Sequence, residues 1–172
     1  MENNVNLIYE NNDNLDLVQC KSINKRLRRE LNFMYNLYDK IHVVFIEKSN
    51  ETHIIVYEIV NGKQNSYTFI ISKSYPFVCP SIFINNHKYI DLLINKHNYG
   101  TIPFKKISGF DCFCCQSLSC HNNWSYRTTL HDIISEIKHF KNIKRKLVLK
   151  LLLDKIKYKY LTNDIELESF IF

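Results

Sequence analysis

Between residues 41 and 85, runs rich in β-branched and aromatic residues follow one another: Ile41–Ile46, His53–Val60, Ser66–Ile71 and Ser81–Asn85. The links between them are short or proline-punctuated. A parallel crossover needs a dozen or more residues, so neighbouring runs of this kind pair antiparallel. Asn61-Gly62 sits between two of the runs, and that dipeptide supplies the left-handed backbone a two-residue hairpin requires. A four-stranded antiparallel meander is predicted. The corner before the last run, Tyr75-Pro76-Phe77-Val78-Cys79-Pro80, fixes φ at its prolines and leaves aromatic rings to pack or present. His42 and His53 fall inside strands as packed or surface residues, and Cys79 reads as a small buried hydrophobe.

Helical patterns flank the meander. From Ser22, the residues Ile23, Leu27, Leu31 and Met34, then Leu37 and Tyr38, mark one amphipathic face, with Lys25, Arg26, Arg28 and Arg29 on the other. That basic face is either a solvated surface or a docking face for an acidic partner. Residues 86–108 are irregular, with a short helix around Tyr89, Leu92, Leu93 and Ile94 and a loop at Thr101-Ile102-Pro103. Thr128 or Thr129 caps a helix carrying Leu130, Ile133, Ile134 and Ile137. A second helix is expected from Ile143 to Leu161, with Leu149, Leu153, Ile156 and Tyr160 on its stripe and Lys141, Lys144, Arg145, Lys146 and Lys150 at its start. Strands grouped between helices define an α+β chain. Its parts are a loose polar arm over 1–18, a core over 19–142 and a helical extension over 143–172.

Composition narrows the setting. The chain has 172 residues, 45% of them apolar, enough for one sizeable core. No apolar run approaches the roughly 20 residues that span a bilayer, so no membrane association is expected. The start Met1-Glu2-Asn3-Asn4 lacks the basic and apolar regions of a signal peptide, which predicts an intracellular, cytoplasmic protein with reduced cysteines. The net charge of +6 is moderate and does not by itself point to nucleic acid. Abundant Asn, Lys, Ile and Tyr read as the codon bias of an AT-rich genome, so a lone Asn or Lys carries little weight.

The segment from Gly109 to Trp124 holds four of the six cysteines and the single tryptophan. Such a concentration of sulfur binds metal, forms disulfides or places a thiol for chemistry. Disulfides fit poorly with an intracellular chain. Cys112, Cys114, Cys115, Cys120 and His121 offer ligands for zinc, but they form one crowded cluster without the distant second pair of a usual structural site. Hence no metal or other cofactor is expected, although a zinc-stabilised interaction domain stays as an alternative.

Several stretches together resemble the ubiquitin-conjugating enzyme family. Lys25-Arg26-Leu27-Arg28-Arg29-Glu30-Leu31 is similar to its first helix. Phe69-Ile70-Ile71 through Tyr75-Pro76-Phe77-Val78-Cys79-Pro80-Ser81-Ile82-Phe83 is similar to its third strand, Tyr-Pro-Phe turn and fourth strand. The cysteine-rich stretch up to Trp124-Ser125 resembles the active-site segment, and Leu130–Ile137 the helix after it. The resemblance covers about residues 22–140 and implies that fold. It also implies an enzyme that accepts ubiquitin or a similar modifier as a cysteine thioester and passes it to a substrate lysine. Covalent catalysis of this kind needs an accessible thiol on a firm support. Implied partners are the modifier, its activating enzyme and a ubiquitin ligase, with Arg26, Arg29, Phe77, Trp124 and Tyr126 as the contact surface.

For the nucleophile, Cys112 has Gly109 three residues before it and Phe113 after it, as the family places them. Cys114 has Leu118 four residues on and needs a smaller insertion before Trp124, and Cys115 is the third candidate. The family's His-Pro-Asn has no counterpart. His97-Asn98 and His87 are its nearest echoes, while Asn122 or Asn123 could bring an amide from the other side. Such an amide is worth on the order of 10²–10³ in rate in comparable acyl-transfer sites. Tyr126 stands where the family has the proline of Trp-Ser-Pro. A silent relative that binds ubiquitin or a conjugation complex without forming a thioester is the alternative. His121 and His131 are expected at the surface, and Trp124 as a core anchor.

Overall fold

The computed structural model describes residues 6–9, 24–46, 48–93, 101–109 and 112–161. The chain divides into two compact units, one of residues 1–95 and 112–136, the other of residues 96–111 and 137–172. The first is α+β, and its centre is the expected meander.

The strands are β1 (Asn6–Tyr9), β2 (Lys40–Ile46), β3 (Glu51–Val60), β4 (Lys63–Ile71), β5 (Ser81–Ile84) and β6 (His87–Lys88). They form one antiparallel sheet in sequence order. The sheet thus has six strands where the sequence predicts four. The added edges are short and lie in Asn-rich sequence, so only pairing with a neighbour reveals them as strands. β1 falls within the arm expected over 1–18, and the rest of that arm lies outside the described residues. Asn61 (φ +51°) and Gly62 (φ +72°) make the β3–β4 turn, with Val60 opposite Lys63, as the dipeptide requires.

Register explains the core. Val43, Ile54, Phe69 and Ile82 are successive cross-strand partners, and so are Ile41, Val56, Tyr67 and Ile84. All of these are buried, and together they make two ranks on one face of the sheet. Helix α1 (Lys25–Tyr35) adds buried Leu27, Leu31 and Met34. Asn24 caps it, its side-chain oxygen accepting from the Leu27 N–H at 2.8 Å. Ser22 and Ile23, the expected start of this helix, lie outside the described residues. Tyr38 is buried as its place in the pattern predicts, whereas Leu37 is exposed. Tyr89 and Leu93 of α2 (Tyr89–Leu93) are buried, and Ile94 lies outside the described residues.

The expected pair of C-terminal helices is one helix, α5, Leu130–Leu161. No glycine or proline interrupts that sequence, so nothing stops the ladder at the boundary expected near residue 142. Thr129 is its cap: its hydroxyl accepts from the Asp132 N–H at 3.1 Å, while the Asp132 carboxylate accepts from the Thr129 N–H at 2.8 Å. This reciprocal pair is a capping box with Asp in the acidic position.

In the second unit, Ile137, Phe140, Ile143 and Leu147 of α5 are buried. The stripe expected for this part is on the wrong side: Leu149, Leu153 and Ile156 are exposed. Leu149 follows Leu147 by two residues, about 200° round the helix, and an apolar-rich helix carries two stripes between which sequence alone does not choose. The Tyr160 side chain lies outside the described residues, as does the tail 162–172. Thr101-Ile102-Pro103 is also corrected, since it opens α3 (Thr101–Ser108) instead of forming a loop. Proline fits there because first-turn N–H groups have no partner within the helix. Gly109 ends α3 at φ +80°, its N–H donating to Lys105 O at 2.9 Å, a conformation that favours glycine. No helix among the described residues is long and apolar enough to cross a membrane.

Candidate functional site

The cysteine-rich segment is held by a half-buried carboxylate that the sequence pattern does not reveal. Glu136, on α5, accepts hydrogen bonds from Tyr89 Oη at 2.8 Å, from Ser117 Oγ at 2.7 Å and from the Leu118 N–H. Ser117 and Tyr89 are buried, so these bonds form largely out of water. Burial, then the Glu136 charge, pushes the Tyr89 hydroxyl well above the usual tyrosine range, so it stays a donor. Immediately before Ser117 is the short helix α4 (Phe113–Gln116), anchored by fully buried Phe113. Asn123 closes the loop, its Nδ2 donating to Cys115 O at 2.7 Å and Ser117 O at 3.0 Å.

A second carboxylate fixes the next part of the chain. Glu30 of α1, 6% exposed, accepts from Tyr75 Oη at 2.8 Å and from the Leu130 N–H at 2.9 Å, and it pairs with Arg26. It therefore ties α1, the Tyr-Pro-Phe turn and the start of α5 together, with its negative charge at a helix N-terminus. Trp124 Nε1 donates to Pro76 O at 2.9 Å, and its ring lies 6.3 Å from that of Tyr75.

On this scaffold Cys112, Cys114 and Cys115 come together, their sulfurs all within 4.8 Å of one another. Cys112 and Cys114 are half-buried and Cys115 is exposed. The Cys112 side chain does not cap α4 by a regular hydrogen bond. Its acidity is nonetheless set locally. Burial raises its pKa, but the Cys114 thiol and the amides of Cys115 and Cys114 lower it by more. Cys114 moves the opposite way, to about 12, chiefly because it donates to Cys112 and then because of burial. The two neighbouring thiols are thus pushed apart, with Cys112 the more acidic of the pair. Cys120, the fourth potential ligand or thiol by sequence, is half-buried and outside this group, and His121, the fifth ligand, is exposed. Half-buried Cys79 is pushed up to about 12 by burial and then by Glu136, as an inert thiol should be.

The expected contact residues divide. Phe77 is 78% exposed, and Tyr126 and Arg29 are exposed as well. Arg26 is committed to Glu30 and, through Nη2, to Arg127 O at 3.1 Å. Half-buried Trp124 is the structural anchor described above. His131 is half-buried: its Nδ1 lies 2.9 Å from Tyr38 Oη, and its ring is edge-on to Phe33 at 5.4 Å. Asn123 is spoken for by two carbonyls, while Asn122 is exposed. His97, Asn98 and Asp111 lie outside the described residues, and His87 is exposed in β6. The sequence also gives no sign of a cavity of about 400 Å³ between α1 and the start of α5, lined by Arg29, Phe33, Met34, Thr129, His131 and Asp132 among others.

Fold and thiols together define a class: an α+β protein presenting a cluster of half-exposed cysteines from a firmly braced loop. Comparison with family models, curated proteins and solved structures finds no match to the chain.

Proposed function

We propose that the chain is a thiol acyl carrier of the ubiquitin-conjugating type, with Cys112 as nucleophile and Cys114 as the hydrogen-bonding thiol beside it. One observation carries this reading: a loop braced by Glu136 and Asn123 presents Cys112 half-exposed after a helix–meander–Tyr-Pro-Phe arrangement and before a capped helix. An accessible thiol on a rigid support is what thioester chemistry requires. In this reading the Cys112 sulfur attacks the activated C-terminal carbonyl of ubiquitin or a similar modifier, carried as a thioester by the activating enzyme. The thiolate of that enzyme leaves. A lysine amine then attacks the new thioester and releases Cys112. Arg29, Phe77 and Tyr126 supply exposed contact surface for activating enzyme and ligase, and the setting is intracellular.

Incubation with activating enzyme, ATP and ubiquitin should give a reductant-sensitive adduct that Cys112→Ala abolishes. An adduct that survives Cys112→Ala and Cys114→Ala, or is lost only with Cys120→Ala, overturns the assignment. A silent ubiquitin-binding module is favoured by a different observation. Asn123, one of the two asparagines that could bring an amide to the cysteines, spends its Nδ2 on the carbonyls of Cys115 and Ser117 and is not free to face an oxyanion. Ubiquitin binding without any adduct would select that reading.

A further inference from the structure

We propose that Cys112, Cys114 and Cys115 form a three-sulfur site for a thiophilic d¹⁰ cation, zinc(II) or copper(I). The site stands on the geometry of the sulfurs and does not depend on the acyl-carrier reading. In a tetrahedral zinc site the metal–sulfur distance of about 2.3 Å puts neighbouring sulfurs about 3.8 Å apart. The Cys114 and Cys115 sulfurs are 3.8 Å apart as they stand. All three lie within 4.8 Å, so the widest edge closes by about 1 Å, within reach of side-chain rotation.

The backbone that carries these sulfurs is fixed without metal. Phe113 is fully buried, Ser117 is bonded to Glu136, and the Cys115 carbonyl is held by Asn123. A cation therefore meets a preformed loop and does not have to organise one. Thiolates select soft cations over magnesium or calcium. Among the described residues no His, Asp, Glu or further Cys joins the group. Zinc would thus keep its fourth position for an exchangeable ligand, while copper(I) is satisfied by three sulfurs. A metal held by Cys112 occupies the same sulfur that a thioester would use, so the two states exclude each other.

The test uses the full chain, reduced and stripped of metal, titrated with zinc(II) and separately with copper(I) against chromophoric chelators. One ion per chain is expected. Cobalt(II) in place of zinc should give sulfur-to-metal charge-transfer absorption with the intensity of three thiolates. Cys112→Ser, Cys114→Ser and Cys115→Ser should each weaken binding by more than about 100-fold, beyond what loss of an outer-shell partner does. Cys79→Ser and Cys120→Ser should leave it unchanged. Should a variant fail to fold, alkylation of the native chain decides: bound metal must protect Cys112, Cys114 and Cys115 and leave Cys120 labelled. Sub-stoichiometric binding of both ions, or equal loss with Cys120→Ser, overturns the proposal. Because the readouts are affinity and absorption, a chain that forms no ubiquitin adduct still tests it.

Discussion

Glu136 is the residue on which the cysteine loop hangs, and replacing it tests the whole account of the site. Glu136→Ala removes the acceptor for Tyr89 Oη, Ser117 Oγ and the Leu118 N–H. Hydrogen bonds to a charged group contribute about 1.5–3 kcal/mol each. Ser117 keeps a partner in Ser119, whose Oγ lies 2.7 Å away, so its loss is the smallest. The Tyr89 hydroxyl and the Leu118 N–H lose the only acceptor described above, and the net cost should be about 3 kcal/mol. For a domain stable by about 5–15 kcal/mol that is a large fraction. With an m-value of about 2 kcal/mol/M, the urea midpoint falls by about 1.5 M. Fluorescence of the single tryptophan, Trp124, reads the transition. Glu136→Gln keeps one acceptor oxygen but turns an NH₂ toward the Leu118 N–H or toward the hydroxyls, and should cost about 1–2 kcal/mol. Loosening the loop should also separate the three sulfurs and equalise the alkylation rates of Cys112 and Cys114. A Glu136→Ala protein that unfolds within about 0.5 kcal/mol of the native chain, with the two cysteines still labelled unequally, would refute the bracing role.

Two further outcomes follow from the same structure. Glu30→Ala leaves the buried Tyr75 hydroxyl and the Leu130 N–H without their acceptor and Arg26 without its counter-charge, so it should cost about 3–4 kcal/mol; a double-mutant cycle with Tyr75→Phe should show coupling in urea denaturation above about 0.5 kcal/mol. Gly62→Ala places a side chain at φ +72° in the hairpin, where a Cβ meets nothing within 4 Å, so only backbone strain of about 1 kcal/mol applies and Tm should drop by about 2–4 °C.

Much of the fold is legible in the chain because it depends on local rules. Runs of β-branched and aromatic residues mark β2 to β5, Asn61-Gly62 marks their central turn, and the Thr128-Thr129 pair marks the start of α5. The edge strands are not legible, since segments of four and two residues set in Asn-rich surroundings become strands only by pairing. The face of α5 beyond Phe140 is not legible either. Two apolar stripes compete there, and packing buries Ile143 and Leu147 while exposing Leu149, Leu153 and Ile156.

For the site, the sequence by itself determined which sulfurs are available and that they follow the meander. It offered Cys112, Cys114, Cys115, Cys120 and His121 as one undivided cluster. Tertiary structure decided the partition. It gathered three of those sulfurs within 4.8 Å and left Cys120 and His121 outside. The reason is that the loop's shape is set by partners distant in sequence: Glu136 lies 19 residues from Ser117 and 47 from Tyr89. Spacing along a chain reports local geometry, and a half-buried carboxylate reaching across such separations leaves no periodic mark.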